Sequence, residues 1–424
     1  MIQQHRLENG VRVVFEQIDT VRSCGIGLWL NVGSRHEQPD EAGLTHFVEH
    51  MLFKGTARHP TEALADRMDY LGGNVNAFTT QENLCLHGRC VDRKASQMLD
   101  LFSEMLTQST FPMAEIQRER RVVIEEYTLY EDTPDEFVFD LFLENLYSGH
   151  PLGRPVMGRK GLIRRFSRRR MLEYWHRVLH PEHLIVAMAG AFDAAECLHM
   201  ITERFGSLTG KRPRLKRRAP HRDLPLPRRS LRQRSVEQAH FCLGFQAPHR
   251  RSPDRFTFAL LNLVLGGGVS SRLFREIRER RGLAYSIGSF TQPFSDHGFI
   301  AVSGGTDPAR LDEVLRLTSR EITRLRRDPI PQQELQVALE QAVDAILMGL
   351  ENTEARMMRL IESIITFGRV TSIDHLIKRL RAVQPLHLTR VAQRYLRPES
   401  MAFSSIVPSS TAPNRRRLFQ SIRL

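Results

Sequence analysis

The stretch RVLHPEHLIVAMAGAF at residues 177–192 has a counterpart near the end of the chain, RYLRPESMAFSSIVP at residues 394–408. Each reads as a helical end, a Pro-Glu turn and an apolar strand. A second pair consists of LADRMDYLGGNVNAFTT at 64–80 and LFREIRERRGLAYSIGSFTQ at 273–292, where an amphipathic helix and a glycine precede an alternating strand. Because the two pairs of similar segments occur in the same order in each half, they indicate duplication of a domain of about 200 residues.

Within the first half, three segments read as strands: VRVVFEQ at 11–17, CGIGLWLNVG at 24–33 and NLCLHGRCV at 83–91. The segment at 60–73 reads as a helix with Thr61 as N-cap and Gly72 just past its end. Strands follow strands and helices follow helices, which favours an α+β fold over a doubly wound sheet. We therefore predict two similar domains, each an antiparallel sheet packed with helices.

A basic, proline-rich segment separates the two halves. It runs from residue 210 to 234 with the sequence GKRPRLKRRAPHRDLPLPRRSLRQR. Proline and charge at this density are typical of an exposed linker. The predicted organisation is an N-terminal domain at 1–209, a linker at 210–234 and a C-terminal domain at 235–424.

Composition limits the classes of function. The 424 residues carry a net charge of +13, and no apolar run of about 18 residues or basic leader is present. The five cysteines are odd in number and form no C-x-x-C pair, which fits a reducing compartment and offers no cysteine metal site. We expect a cytoplasmic protein with no membrane contact. Arginine is abundant throughout, so the charge alone does not lead us to expect nucleic-acid binding.

The segment LTHFVEHML at 44–52 places three ionisable side chains among apolar residues. On a helix, His46, Glu49 and His50 share one face. Imidazoles at i and i+4 can converge on one cation, and the glutamate can act on a water molecule there without being a ligand. This is the inverted H-x-x-E-H signature of zinc peptidases. The alternative is a surface helix that carries these groups by chance.

A catalytic zinc needs a third protein ligand and one open position. The charged helix EIQRERRVVIEEYTLYED at 115–132 supplies candidates. Glu119 and Glu126 are two turns apart and share a face, whereas Glu125 points about 100° away. Glu126 is therefore the better third ligand and Glu119 a supporting carboxylate. The alternative is a solvated acidic face.

These residues resemble the inverzincin, or pitrilysin-like, metallopeptidases, especially the short two-domain branch with the mitochondrial processing peptidase and its bacterial relatives. The matching segments are AGLTHFVEHMLFKGT, GGNVNAFTT, RERRVVIEEYTLYEDTPDE, GHPLGRPVMG and GGGVSSRLFREIRERRGLAYSI. The resemblance implies that His46, His50 and Glu126 bind Zn2+ and that Glu49 is the general base. It also implies a catalytic role for Glu119, the second acidic residue seven positions before the ligand.

The resemblance gives roles to other segments as well. The second half lacks H-x-x-E-H and contributes Arg278 and Tyr285, a guanidinium and a phenol that would stabilise the negative charge on the reacting carbonyl oxygen. Asn76, Ala77 and Phe78 would form a sheet edge to which an extended substrate adds by main-chain pairing. The alternative for that strand is an interior position in the sheet.

The function expected from the resemblance is a zinc endopeptidase that hydrolyses peptides or unfolded segments enclosed between its two domains. We expect a homodimer, because the chain carries both the zinc residues and the Arg-Tyr pair. Three alternatives remain open. The chain could be the catalytic subunit of a heterodimer with a metal-free paralogue, a non-enzymatic assembly subunit, or a basic nucleic-acid-binding protein.

Overall fold

The structure, a computed structural model, describes residues 1–209, 228–410 and 415–422. The strands are β1 (Ile2–Arg6), β2 (Arg12–Gln17), β3 (Ser23–Leu30), β4 (Val75–Thr79), β5 (Leu84–Val91), β6 (Leu184–Gly190), β7 (Arg228–Arg234), β8 (Ala239–Gln246), β9 (Ala284–Pro293), β10 (Gly298–Thr306) and β11 (Met401–Pro408). The α-helices are α1 (Leu44–Met51), α2 (Thr61–Leu71), α3 (Ala95–Thr107), α4 (Met113–Asp132), α5 (Pro134–Leu146), α6 (Lys160–Ile163), α7 (Arg168–Val178), α8 (Ala194–Phe205), α9 (Arg255–Gly266), α10 (Leu311–Arg327), α11 (Gln332–Met348), α12 (Thr353–Phe367), α13 (Ile373–Arg381), α14 (Pro385–Tyr395) and α15 (Arg415–Ser421). A π-helix, Phe274–Glu279, lies between α9 and β9.

The elements form two compact units that are not continuous in sequence. Among the described residues, unit 1 comprises 1–128, 154–209 and 347–370, and unit 2 comprises 129–153, 228–346 and those after 370. The predicted domains 1–209 and 235–424 differ from these units because each contains one segment that belongs to the other unit. The segment with α5 belongs to unit 2, although it precedes the predicted linker, and the segment with α12 belongs to unit 1.

Unit 1 is built on a six-stranded sheet in the order β1-β2-β6-β3-β5-β4. Strand β6 pairs in parallel with β2 and antiparallel with β3, and the other pairs are antiparallel. The apolar run LIVAMAG is buried along its whole length because it lies inside the sheet with both faces covered. Residues 177–192 are thus a helix end, a short turn and an interior strand, as predicted.

The two faces of this sheet carry different layers. The main core of unit 1 lies on one face and contains apolar side chains of α1, α3, α7 and α8. On the other face, α12 packs its Met357, Leu360 and Ile361 against the sheet. Gly27 of β3 allows that approach, because a Cβ atom there would lie 2.4 Å from the Sδ atom of Met357. The glycines in CGIGLWL therefore mark where α12 lies on the sheet.

Unit 2 repeats the plan on a five-stranded sheet in the order β7-β11-β8-β10-β9. Strand β11 pairs in parallel with β7 and antiparallel with β8, as β6 does with β2 and β3. Helix α5 covers one face of this sheet through Phe142, which packs with Phe299 of β10. The matching strand order confirms the predicted α+β fold of two similar domains. The predicted sheets were wholly antiparallel, whereas each contains one parallel pair.

Two local predictions need correction. The last seven residues of the predicted linker form β7, an edge strand held by β11, while residues 210–227 lie outside the described part of the chain. Helix α2 begins at Thr61 rather than after it, and Pro60 occupies the N-cap position without a side-chain cap. Gly72 follows the helix as predicted, with a φ angle of 128°. No helix in the described residues is long and apolar enough to cross a membrane.

Candidate metal centre

Helix α1 has an apolar face and a face with ionisable side chains. Leu44, Phe47, Val48 and Met51 are fully buried in the core of unit 1. Their spacing is that of one apolar helix face, so His46, Glu49 and His50 are directed away from the deepest part of the core. Burial of the apolar face therefore fixes the orientation of the three ionisable groups.

Helix α4 brings the third predicted ligand to this face. Ile116 and Val123 are buried and attach α4 to the same core. The Oε2 atom of Glu126 lies 3.3 Å from Nε2 of His50, and its Oε1 atom lies 3.8 Å from Nε2 of His46. Glu125 is exposed and does not belong to this group. The geometry thus separates the two adjacent glutamates in the way that the helical spacing predicted.

The group formed by His46, His50 and Glu126 fits a metal ion. One ligand atom from each residue lies within 4.8 Å of the others, and within the described ranges no other trio of His, Cys, Asp or Glu has this arrangement. The Nδ1 atom of His46 is buried without a hydrogen-bond partner among the described residues. Two imidazole nitrogens and a carboxylate oxygen are a zinc donor set that leaves a fourth position open.

Glu119 lies behind His50. Its Oε2 atom is 3.1 Å from Nδ1 of His50, and its Oε1 atom is 2.9 Å from the Lys54 ammonium. A ligand that binds through Nε2 must carry its remaining ring proton on Nδ1, where Glu119 accepts it. This carboxylate–histidine arrangement orients a metal ligand. Glu119 thus contacts the metal ligand His50 and is not itself one of the three ligands. Lys54, which was not predicted from the sequence, balances the charge of Glu119.

The two histidines have opposite pKa shifts. Burial, together with the neighbouring His50, lowers the pKa of His46 to about 4 against the attraction of Glu126. For His50, burial also lowers the pKa, but hydrogen bonds to Glu119 and Glu126 outweigh it and raise the pKa to about 9. His46 is therefore neutral at pH 7, as a ligand must be, and His50 releases a proton when it binds a metal.

Glu49 lies beside this group without joining it. Its Oε2 atom accepts a hydrogen bond of 2.5 Å from the Thr79 hydroxyl at the end of β4. Burial raises the pKa of Glu49, while that hydrogen bond and His50 lower it by less. A half-buried carboxylate with a raised pKa and one fixed oxygen suits proton transfer. Thr79 was missed in the sequence, although it lies in the matched segment GGNVNAFTT.

Strand β4 is the edge of its sheet, so the interior alternative for Asn76, Ala77 and Phe78 is wrong. Thr80 N–H donates to Asn83, and the carbonyl of Asn74 accepts from Arg89, so the backbone groups of even-numbered residues point to β5. Those of Ala77 point outward, where its N–H is 2.8 Å from the Asn76 side-chain oxygen. The edge therefore offers main-chain groups.

Phe78 has a packing contact as well. Its ring meets that of Trp29 edge to face at 5.6 Å and lies 5.5 Å from the ring of His87. The side chain therefore holds the edge strand against the sheet on the face that α12 covers. Its predicted contribution to substrate binding rests on its backbone.

In unit 2, the structure brings Arg278 and Tyr285 together. Arg278 lies in the π-helix, and its guanidinium is 4.8 Å from the centre of the Tyr285 ring. Tyr285 at the start of β9 is 80% exposed. Buried Glu276 anchors the π-helix through ion pairs with Arg281 and Arg320. π-Helical turns recur at functional sites, and this one sets two polar groups side by side at the surface.

The chain is similar to known proteins over its whole length. A sequence profile described as "Insulinase (Peptidase family M16)" matches residues 12–160, and one described as "Peptidase M16 inactive domain" matches residues 165–342. The "Uncharacterized zinc protease YmxG" of Bacillus subtilis is 35% identical over 416 residues, covering 98% of this chain and 100% of that protein. A zinc protease of Mycobacterium tuberculosis, Rv2782c, is 35% identical over 392 residues, with 92% and 90% covered.

Solved structures show the same fold. The crystal structure of a protease from Helicobacter pylori superposes with a TM-score of 0.86 at 20% identity, covering 96% of this chain and 99% of that chain. A peptidase M16 inactive domain structure from Pseudomonas fluorescens gives a TM-score of 0.88 at 18% identity, with 97% and 99% covered.

Fold, donor set and relatives together define a metallopeptidase whose cofactor is Zn2+. The matched profiles and the full-length identity place the chain more narrowly: it belongs to peptidase family M16.

Proposed function

We propose that the chain is a zinc endopeptidase that hydrolyses peptides or unfolded segments, with His46, His50 and Glu126 as metal ligands and Glu49 as general base. The observation that carries this proposal is the convergence of both Nε2 atoms on the Glu126 carboxylate, with the half-buried Glu49 on the same helix as the two histidines but outside the ligand group. Bound zinc would polarise the substrate carbonyl and acidify a water molecule.

The chain's own residues then perform the proton transfers. Glu49 takes a proton from the attacking water and passes it to the leaving amine, while Thr79 holds its other oxygen in place. Glu119 keeps His50 in the orientation and tautomer that a ligand needs. The outward backbone of Ala77 aligns an extended substrate along β4, which gives affinity with little dependence on sequence. The role of Arg278 and Tyr285 toward the carbonyl oxygen stays a prediction.

The test is metal analysis of the purified full chain combined with cleavage of an unstructured peptide mixture. We expect one zinc per chain, hydrolysis within peptides, loss of activity with a chelator and recovery with Zn2+. A chain that binds zinc at these residues but cleaves no peptide would favour the assembly-subunit alternative. Salt-sensitive RNA or DNA binding that survives zinc removal would favour the nucleic-acid alternative.

A homodimer is our proposal for the active form, since the ligand set and the Arg-Tyr pair both occur in this chain. Native mass measurement tests it. A homodimer that cleaves peptides alone supports the proposal. Activity that appears only after a metal-free paralogue is added would show a heterodimeric processing peptidase instead. Substrate enclosure between the two domains stays a prediction of the resemblance.

A further inference from the structure

The start of α1 takes its hydrogen-bond acceptors from outside the helix. The first N–H groups of a helix have no partners within it. Here the N-cap residue is Gly43, with a φ angle of 95° and no side chain that could accept. The Glu37 carboxylate accepts instead, from Gly43 N–H at 2.9 Å and from Thr45 N–H at 2.7 Å. One carboxylate therefore replaces the missing cap of the helix that carries His46.

Glu37 is itself fixed on several sides. It is only 3% exposed. The Thr45 hydroxyl donates to its Oε1 atom at 2.6 Å and lies 2.5 Å from the Tyr174 hydroxyl of α7. Arg154 donates to the backbone carbonyl of Glu37 at 3.0 Å. Because both carboxylate oxygens and the backbone carbonyl are held, Glu37 cannot shift without breaking contacts to α1 and to the segment before α6.

The segment before Glu37 also holds the turn between β4 and β5. The Arg35 N–H donates to the carbonyl of Gln81 at 2.8 Å, and its guanidinium forms a buried ion pair of 2.6 Å with Glu82. Thr79, which donates to Glu49, stands just before that turn. Residues 35–37 therefore connect the start of the ligand helix with the strand end that holds the general base.

We propose that Glu37 is a positioning residue of the metal centre, which sets where α1 begins and so how His46, Glu49 and His50 are presented. This inference rests on the proposed function. Its physical basis is the precision that such a site needs: the metal ligands and the base must keep their positions to about 0.5 Å and their orientations to about 10–20°. A frayed or shifted first turn of α1 would not keep them so. His46 lies within that first turn, one residue after Thr45.

The test is Glu37→Gln in the full chain. Glutamine keeps the size of the side chain, but its amide nitrogen is a donor, so one of the three groups that Glu37 binds faces another donor. Assays belong at pH 8, because burial raises the pKa of Glu37 to about 7 against the hydrogen bonds from Thr45 and Gly43. We expect the zinc dissociation constant to rise about tenfold. For the zinc-saturated enzyme we expect kcat on a fluorogenic unstructured peptide to fall about tenfold, with KM unchanged within about twofold.

Glu41→Gln is the matched control. Glu41 is 1% exposed, accepts the N–H of Gln38 at 3.0 Å and pairs with Arg177 at 2.7 Å, but makes no hydrogen bond to α1. Loss of either buried carboxylate should lower the melting temperature of the metal-free protein by about 3–8 °C. Only Glu37→Gln should change zinc affinity, kcat and the absorption spectrum of the Co2+-substituted protein.

The outcomes separate the inference from the proposed function. Wild-type protein that binds no zinc or cleaves no peptide refutes both. Wild-type protein that does both, beside a Glu37→Gln variant with unaltered zinc affinity and kcat, refutes the inference alone. If Glu37→Gln does not fold, Thr45→Val takes its place, because valine keeps the backbone donor and removes only the hydroxyl. A several-fold loss of zinc affinity in that variant supports the inference, and wild-type affinity overturns it.

Discussion

Glu49 is the residue on which the proposed chemistry depends most directly. In Glu49→Gln, the amide keeps the size of the side chain and can still accept from Thr79, but it cannot take a proton from water. We expect unchanged zinc content and a loss in kcat of about 10²–10⁴. The measurement is steady-state hydrolysis at equal zinc occupancy. Wild-type rates at full zinc occupancy would assign the base to another group.

Glu126 and Glu125 are neighbours in sequence with opposite expected effects. Glu126 lies within 4 Å of both imidazoles, while Glu125 is not part of the trio. Glu126→Gln should therefore weaken zinc binding by at least about tenfold to 100-fold, the usual effect of disturbing even an outer partner. Glu125→Gln serves as the control and should keep wild-type affinity. Competition with a chelator measures both, and equal losses in the two variants would contradict the assignment of the ligand.

Helix α5 carries a carboxyl whose environment opposes ionisation. Burial raises the pKa of Asp140 to about 7, with nearby Glu144 adding to the effect and a hydrogen bond from Tyr130 opposing it. A raised folded-state pKa means that this group favours the folded state below its unfolded pKa near 4 and loses that contribution as pH rises to 7. Asp140→Asn removes the cost of ionisation.

The variant should therefore melt higher than wild type at pH 8, by about 2–6 °C, and by only about a third of that amount at pH 5, where the folded-state carboxyl is still protonated. Thermal unfolding of both proteins in the two buffers tests this. Glu144→Gln is the control, because it keeps Asp140 and removes only the neighbouring charge. An equal shift at both pH values would mean that packing, rather than ionisation, separates Asp140→Asn from wild type.

Elements differ in how well the sequence predicted them. Apolar alternation and glycines mark some elements locally, so the sequence predicted strands β2, β3 and β5 and the similar helix–strand segments of the two halves. The sequence did not predict which unit α5 and α12 belong to, because an amphipathic pattern does not specify which sheet the apolar face of a helix covers. Gly27, whose missing Cβ makes room for Met357, was the available sign. In the site, helical spacing placed Glu126, whereas Lys54 and Thr79 act through contacts between distant segments.

Whether both units serve one reaction is tested with Tyr285. Its ring packs with Arg278, and Tyr285→Phe keeps that contact while it removes the hydroxyl. If the hydroxyl stabilises the reacting oxygen, kcat should fall by about 10²–10³ with zinc content and melting temperature unchanged. Peptide hydrolysis and calorimetry provide the measurements. Full activity of this variant would show that the Tyr285 hydroxyl takes no part in the reaction and would leave Arg278 as the candidate from unit 2.

A fragment of residues 1–209 tests the division into units. It contains the zinc residues but lacks α12, so Trp29, Ile185 and their neighbours on one sheet face lose their cover. We expect this fragment to aggregate or to unfold well below the full chain, since burial of each large apolar side chain contributes about 1.5–3 kcal/mol. Co-expression with a fragment that supplies residues 347–370 should restore zinc binding. A soluble, zinc-binding 1–209 fragment would show that the predicted boundary is sufficient.

The place of α12 in unit 1 also has a consequence for synthesis. The last strand of the unit 1 sheet ends at Gly190, but the helix that covers the sheet ends only at Phe367. At about 5–20 residues per second, a ribosome needs roughly 9–35 s to make the residues in between. During that interval the sheet face with Trp29 and Ile185 stays uncovered on the nascent chain, so we expect it to engage a holding chaperone until α12 emerges.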